Sequence, residues 1–389
     1  MVTEQKYYRI ALLFNANKVY DREVVEGVGQ YLQASQCTWD IFVEDDFVYH
    51  KESIQRLAID GIIADFDDQE TCELLRGVNV PVVAVGGSFA DERDYPHLPY
   101  IATDNYALVE AAFQHLQQKG INRFAFYGLP AEQQRHWSQE RKNAFLALTA
   151  KYNYPAALYL GDKTNSENWA KAQSKLFDWI RTLQPHTGII AVTDARARHL
   201  LQACEYLKIP VPDQLCVIGI DNEELIRYLS RVSLSSVAQG TRQIGYQAAK
   251  TLHRLLSGQA VAQQLQLIPP LKVVQRRSTD YLSLTDPFVI QAMHYIRHHA
   301  TQGIKVEQVL DHLMVSRSNL ELRFKRELGK TIHQAIHEEK LSRAKHMLCS
   351  TDIPIQEIAE ICGYPSLQYF YAVFRKDYRQ TPKEFRERN

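Results

Sequence analysis

Polar side chains recur in this sequence directly after short apolar runs. Asn15, Asn17, Tyr20 and Asp21 follow Ile10-Ala11-Leu12-Leu13-Phe14, Asp65-Phe66-Asp67 follows Gly61-Ile62-Ile63-Ala64, and Gly86-Gly87-Ser88 follows Val82-Val83-Ala84-Val85. Thr193-Asp194 and Asp221-Asn222 end two further runs, and Thr103-Asp104 and Gln239 complete the set. Carboxylates and amides each make two or more hydrogen bonds, so several of them converging on one cleft suit the vicinal hydroxyls of a sugar. Tyr20, Phe66 and Trp137 offer aromatic faces for its apolar C–H side. The plainer reading is that Asp and Asn at such places cap the helices that follow, and it carries equal weight for Asp104 and Asp194.

A second chemistry lies near the end of the chain, in Gly363-Tyr364-Pro365-Ser366-Leu367-Gln368-Tyr369-Phe370-Tyr371-Ala372-Val373-Phe374-Arg375-Lys376. The glycine marks a sharp turn, Ser366 is placed to cap a short helix, and that helix mixes polar, aromatic and basic side chains. It reads as a helix built to lie in a DNA groove. Lys305 to Gly329 and Pro354 to Tyr378 repeat one plan of helix, turn and helix, with Ser316/Phe324 and Ser366/Phe374 in matching places and Lys325-Arg326 and Arg375-Lys376 behind them.

The elements that must position these groups divide the chain in two. At 389 residues it is too long for one ordinary core. From Tyr8 to about Arg277, apolar runs including Ile41-Phe42-Val43, Phe124-Ala125-Phe126, Gly188 to Val192 and Cys216 to Ile220 alternate with amphipathic stretches such as Asp21 to Ala34, Asn105 to Gly120 and Asp194 to Leu207. Runs apolar on both faces predict central strands of parallel sheets covered by helices, a doubly wound α/β architecture in two lobes over residues 1–277. Ligands bind such sheets outside the carboxyl ends of the strands, where the polar set lies. Residues 278–287, ending in Thr285-Asp286-Pro287, read as a linker. Seven short helices follow in residues 288–389, with breaks at Gly303, Gly329, Gly363 and Thr381-Pro382, giving an all-α domain with two helix-turn-helix motifs.

Composition narrows the function. The formal net charge is zero, yet from Asp286 onward 16 lysines and arginines face 13 acidic residues, a mild basic bias that favours DNA binding. The six cysteines never form a C-x-x-C pair and are expected as buried thiols, with no metal site. His294, His298 and His299 share one helical surface and are expected to form a solvated face instead of a metal site. No apolar signal segment opens the chain and no run approaches a membrane span, so a cytoplasmic protein that avoids membranes is expected. Gly27-Val28-Gly29 lacks the third glycine of a dinucleotide fingerprint and falls inside a helix, and no P-loop or G-x-S-x-G occurs. No catalytic residues and no cofactor are therefore expected, and the chain is not read as an enzyme.

The tail resembles the AraC/XylS family of DNA-binding domains, through Ser316-x-x-x-Leu320-x-x-x-Phe324-Lys325, Gly329-x-Thr331, Ile355-x-Glu357-Ile358-Ala359, Cys362-Gly363-Tyr364, Tyr369-Phe370-x-x-x-Phe374 and Thr381-Pro382-x-x-Phe385-Arg386. The resemblance implies that the second helix of each motif enters a major groove, the two roughly 34 Å apart. It makes Arg317, Ser318, Asn319, Glu321 and Leu322, and then Leu367, Gln368, Tyr369 and Tyr371, candidates for base edges. Lys325, Arg326, Arg375, Lys376 and Lys383 are candidates for phosphates. Arg379 stands where the family has glycine, so a less tight turn is expected there.

The first part is similar to the effector domain of the LacI/GalR family, through Arg141-x-x-Ala144-Phe145, Gly188-Ile189-Ile190-Ala191-Val192-Thr193-Asp194, Val217-Ile218-Gly219-Ile220-Asp221-Asn222, Leu234-Ser235-Ser236-Val237-Ala238-Gln239 and Val274-x-Arg276-Arg277-Ser278-Thr279. That resemblance implies ligand contacts from Arg141, Thr193, Asp221 and Gln239, with Asn17, Asp65 and Asp104 behind them. LacI/GalR proteins carry their DNA-binding domain first, whereas here it follows the sensor. The chain in this order, through Leu12-Leu13-Phe14-Asn15-Ala16-Asn17-Lys18, Thr103-Asp104-Asn105-Tyr106-Ala107-Leu108-Val109-Glu110 and Gly219-Ile220-Asp221-Asn222-Glu223-Glu224-Leu225, resembles the xylose-responsive activators of enteric bacteria. That resemblance implies D-xylose as effector, a homodimer bound to double-stranded promoter DNA, action with RNA polymerase, and activation of xylose uptake and catabolism genes. The residues alone leave open another pentose, or repression.

Overall fold

The structure is a computed structural model that describes residues 7–35, 37–44, 58–130, 135–162, 164–261, 265–280, 284 and 286–388. Two compact units divide the chain, Met1–Asp280 and Tyr281–Asn389. Thr285 and residues 281–283 of the expected linker lie outside the described residues. Ser278 and Thr279, expected to begin that linker, are instead fully buried in the first unit, where a 3₁₀ turn, Arg277–Thr279, holds them.

The first unit holds two six-stranded sheets. The first contains β1 (Tyr8–Leu13), β2 (Trp39–Phe42), β3 (Gly61–Asp65), β4 (Val82–Gly87), β5 (Tyr100–Thr103) and a late strand, β11 (Leu265–Ile268), in the order β11-β5-β4-β3-β1-β2, all parallel. The second contains β6 (Arg123–Gly128), β7 (Ala156–Leu160), β8 (Thr187–Ala191), β9 (Leu215–Ile220), β10 (Ser235–Ala238) and β12 (Lys272–Val274), in the order β12-β10-β9-β8-β6-β7. Among the described residues only the β10–β12 pair of that sheet is antiparallel. Every residue of β3, β8 and β9 is buried, as strands apolar on both faces require. The run Ile41-Phe42-Val43 belongs to an edge strand, half-buried because helices cover an edge from fewer sides.

Helices supply the layers: α1 (Val19–Ala34), α2 (Gln69–Leu74), α3 (Asn105–Gln118), α4 (His136–Lys151), α5 (Trp169–Thr182), α6 (Asp194–Tyr206), α7 (Glu224–Leu229) and α8 (Thr241–Leu256). The chain passes between the lobes three times, after β5, after β10 and between β11 and β12. Both lobes are thus built from discontinuous sequence. Helices α1 and α8 pack so closely that a Cβ on Gly27 would lie 2.0 Å from the Arg242 carbonyl oxygen, and one on Gly245 1.9 Å from that of Val24. The glycines of Gly27-Val28-Gly29 therefore sit within a helix, and Gly27 serves helix contact with no role in a phosphate turn.

In the second unit α9 (Pro287–His299) is capped by Asp286, whose carboxylate accepts the amides of Phe288 and Val289. Then come α10 (Val306–Leu313), α11 (Arg317–Leu328), α12 (Ile332–Ser350), α13 (Ile355–Ile361), α14 (Leu367–Tyr378) and α15 (Pro382–Arg388). Two apolar clusters form its core. One gathers Val289, Met293, Val309, Leu320 and Phe324, the other Leu348, Ile358, Cys362, Phe370 and Phe374. Helix α12 contributes to both, through Ile332 and Ala335 to the first and Leu341 and Ala344 to the second.

Three expectations change here. Arg379 takes φ 60 as the C-cap of α14, the left-handed conformation that Gly329 takes at φ 67 after α11, so its turn is of the same left-handed kind despite the missing glycine. His294 is not fully solvated: burial, and then His298, push its imidazole down to about 4, and its ring lies 4.2 Å from that of His298. Among the cysteines Cys204, Cys216 and Cys362 are buried, but Cys349 is exposed. Among the described residues no group of three or more His, Cys, Asp or Glu is placed to hold a metal, and no helix is long and apolar enough to cross a membrane.

Gly245→Ala is expected to destabilise the sensor by about 1–3 kcal/mol or more, because the obstacle is backbone and the helix must shift. A lowered Tm in calorimetry checks it. Arg379→Gly is expected to stabilise the helical unit by up to about 1 kcal/mol by relieving left-handed strain, measured by chemical denaturation.

Candidate functional site

Between the lobes lies a cleft of about 1050 Å³ at the carboxyl ends of the strands. From the first lobe it is lined by Asn17, Tyr20 and Asp21, on the loop and first turn after β1, and by Asp65, the last residue of β3. The second lobe contributes Arg141 from α4, Thr193 before α6, Asp221 after β9 and Gln239 after β10. Trp137 also lines it.

On the first lobe's wall, Lys18 Nζ lies 2.8 Å from Asp65 Oδ2 and 3.5 Å from Asp21 Oδ2. Burial lowers the Lys18 ammonium, but Asp65 and then Asp21 outweigh it and raise it. Asp67 accepts the Gly87 amide with both oxygens at 3.0 Å. Burial first, and the Asp65 charge second, push the Asp21 and Asp67 carboxyls up to about 7.

Arg141 is buried at the centre. Its Nε donates to Asn105 Oδ1 at 2.9 Å and its Nη1 to the Val192 carbonyl at 2.7 Å, and its guanidinium lies 4.8 Å from the Trp137 ring centroid. Asp221 Oδ1 stands 3.8 Å from Nη1 and accepts Gln239 Nε2 at 2.7 Å. Burial lifts the Asp221 carboxyl to about 6 against the pull of Arg141. Asp221 and Asn222 both occupy positive φ, 124 and 55, a conformation that costs of order 1–3 kcal/mol per residue and persists only where the surroundings over-determine it. Four buried polar atoms on cleft residues, Asp21 Oδ1, Asn105 Nδ2, His199 Nδ1 and Gln239 Oε1, have no hydrogen-bond partner among the described residues. Two accept, the amide nitrogen donates, and the imidazole nitrogen does either according to its tautomer. A hydroxyl serves either role, and satisfying such atoms removes a penalty of about 1–3 kcal/mol each.

Three expected contacts lie elsewhere. Asp104 accepts the Ala107 amide as the N-cap of α3. Asp194 is buried behind the cleft, where Ser236 Oγ donates to it at 2.6 Å and the Glu223 amide at 2.8 Å. Ser88 Oγ accepts the Asn105 amide at 3.1 Å and is not among the residues lining the cleft. Phe66 packs edge-on against Tyr100, in apolar clusters away from the cleft. The sequence reading missed Lys18, Asn105, Arg196 and Glu223, which line the cleft. Lys18 beside Asn17, and Asn105 beside Asp104, were the available signals, but a lysine in a loop and an asparagine opening a helix both read as solvated.

In the second unit Ser366 Oγ caps α14 by accepting the Tyr369 amide at 3.1 Å, whereas Ser316 makes no such bond. Arg317, Ser318, Asn319, Leu322 and Lys325 are exposed on α11, and Gln368, Tyr369, Arg375 and Lys376 on α14. Three base-edge candidates are less free. Glu321 is half-buried and accepts the Ile332 amide at 3.4 Å at the start of α12, and Leu367 and Tyr371 pack against the second apolar cluster. Arg317 is shared with Glu307 at 3.4 Å.

A two-lobed sensor and two helix-turn-helix motifs in one chain define a ligand-responsive transcription regulator, not an enzyme. Family models agree: one described as XylR N-terminal domain matches residues 9–106, a periplasmic binding protein-like domain matches 113–279, and a helix-turn-helix domain matches 309–388. The chain is 67% identical to the xylose operon regulatory protein of Haemophilus influenzae, over 99% of each chain, and 62% identical to that of Escherichia coli, over 99% of this chain and 98% of the other. The solved structure of a xylose-binding transcription activator matches all of both chains with a TM-score of 0.91 at 62% identity. The lac repressor dimer, 18% identical with a TM-score of 0.55 over 71% of this chain and 96% of that one, shares the sensor fold. The chain belongs to the family of xylose operon regulatory proteins.

Arg375→Ala is expected to weaken binding to all DNA sequences alike and to reduce the slope of log affinity against log salt by about 1, whereas Gln368→Ala changes preference at one base pair by about 1–3 kcal/mol. Affinity measured across a salt series and a panel of substituted duplexes separates the two.

Proposed function

We propose that the chain binds D-xylose between its lobes and, as a homodimer in the cytoplasm, activates genes of xylose uptake and catabolism. The observation that carries the ligand reading is the set of four buried atoms without a partner among the described residues, Asp21 Oδ1, Asn105 Nδ2, His199 Nδ1 and Gln239 Oε1, on one cleft. They match a small neutral molecule whose every hydroxyl both donates and accepts, with Trp137 and Tyr20 at hand for its C–H face. The relatives named for the xylose operon support the choice of pentose. Sugar bridging the lobes favours the closed sensor, and the population shift reorients the DNA-reading helices of the dimer on tandem half-sites, where RNA polymerase is engaged. A useful response needs about 1–3 kcal/mol of coupling.

Calorimetric titration is expected to give micromolar binding of D-xylose and none of L-arabinose, D-ribose or D-glucose; silence with all four refutes the ligand. Asp221→Ala is expected to abolish the sugar response while sugar-independent DNA affinity persists, and a normal response from that variant refutes the cleft. The carboxyls of Asp21 and Asp67 ionise near pH 7, and hydroxyls donate best to ionised carboxylates. Affinity is therefore expected to rise from pH 6 to pH 8, with proton release on binding at neutral pH. A flat profile would show that the sugar does not donate to this pair.

A further inference from the structure

We propose that Asn222 and Arg276 form a clamp that positions Asp221 and couples the cleft to the place where the chain leaves the sensor. The inference rests on the reading of Asp221 as a ligand contact. Neither clamp residue is among those lining the cleft.

Asp221 and Asn222 are consecutive non-glycine residues at positive φ, so neighbouring bonds must hold the turn. The Asp221 amide donates to the Val237 carbonyl at 3.1 Å, the Asn222 amide to Ser236 Oγ at 2.9 Å and the Glu223 amide to Asp194 Oδ2 at 2.8 Å. The side chain of Asn222 is fixed from the far side, where its Oδ1 accepts Arg276 Nη2 at 2.7 Å. Arg276 is itself anchored on the strand β10 and the residue before it: its Nη1 donates to the Leu234 carbonyl and its amide to Ser235 Oγ, both at 2.8 Å.

Two residues later the exit begins. Ser278 Oγ donates to the Val217 carbonyl at 2.5 Å and accepts the Ser235 amide at 2.8 Å, while Thr279 Oγ1 lies 2.7 Å from Ser235 Oγ and 2.8 Å from His115 Nε2. Ser235 and Ser236 are adjacent in β10 and so face opposite sides of the sheet. One binds the exit and the other the strained turn. The first unit ends at Asp280. A ligand that engages Asp221 thus works on a turn held against its backbone preference, and any relaxation of that turn withdraws the acceptor from Arg276, two residues from the buried exit.

The test uses the full-length protein, D-xylose and a duplex carrying the promoter of a xylose catabolic operon. DNA affinity is measured by anisotropy with and without sugar, and sugar binding by calorimetry. Arg276→Ala and Asn222→Gly are expected to bind DNA without sugar as the wild type does, yet to lose roughly 2- to 30-fold of the sugar-dependent gain in affinity. Asn222→Asp, which keeps an acceptor for Arg276, is expected to retain the gain. A full gain in both of the first two variants overturns the clamp. Should Arg276→Ala fail to fold, Asn222→Gly decides, since glycine adopts φ 55 without strain. Amide exchange gives a sugar-free readout: Ser278 and Asp280 are expected to exchange faster in Asn222→Gly, and unchanged exchange also overturns the clamp. If the wild type does not bind D-xylose, the ligand reading falls and amide exchange alone judges the clamp.

Discussion

The Arg141 guanidinium is buried in the cleft, and a buried cation is tolerated only where fixed acceptors replace its water. Asn105 Oδ1 and the Val192 carbonyl provide two of them, and Asp221 adds a charge at 3.8 Å. These come from three places in the chain: the first crossing between lobes, the end of β8 and the end of β9. Gly87 completes the arrangement, since a Cβ there would lie 2.7 Å from Asn105 Nδ2 and 2.8 Å from the Trp137 Cβ. One cation thereby sets the position of an amide, an indole and a carboxylate that all face the cleft.

The first lobe uses the same physics with the signs reversed. Asp21, Asp65 and Asp67 crowd around one ammonium, Lys18, and burial leaves two of the acids poised near neutrality. Such a wall suits a neutral polyhydroxylated ligand, which answers donors and acceptors alike without importing a charge of its own. Three chain crossings join the two lobes that carry these walls.

The helical unit shows how a duplicated plan becomes asymmetric. Both second helices end in a left-handed residue, yet Gly329 takes that conformation freely and Arg379 under strain. Of the two matching serines, Ser366 caps its helix through the side chain and Ser316 does not. On α11 the exposed face mixes Arg317 and Lys325 with Ser318 and Asn319, whereas α14 offers Gln368, Tyr369 and two basic residues. The two motifs thus present unlike faces to solvent.

The two-part architecture was legible in the sequence because its signals are local. Doubly apolar runs mark β1, β3, β4, β8 and β9, and helical periodicity with glycine breaks marks the seven helices α9 to α15. The strands β5, β7, β10, β11 and β12 escaped that reading, being short, edge-placed or, as with Ser235-Ser236, polar. Of the residues expected to meet a ligand, Asn17, Tyr20, Asp21, Asp65, Arg141, Thr193, Asp221 and Gln239 line the cleft. What the sequence determined was the set of side chains available at that edge. Which of them face the cleft was decided by tertiary structure: Asp104 caps a helix, Asp194 accepts from Ser236 and Glu223, and Ser88 accepts from the Asn105 amide, while Lys18 and Asn105 line the cleft. The physical reason is that a polar side chain's role depends on which partner reaches it first, and those partners come from strands and helices far away in the chain.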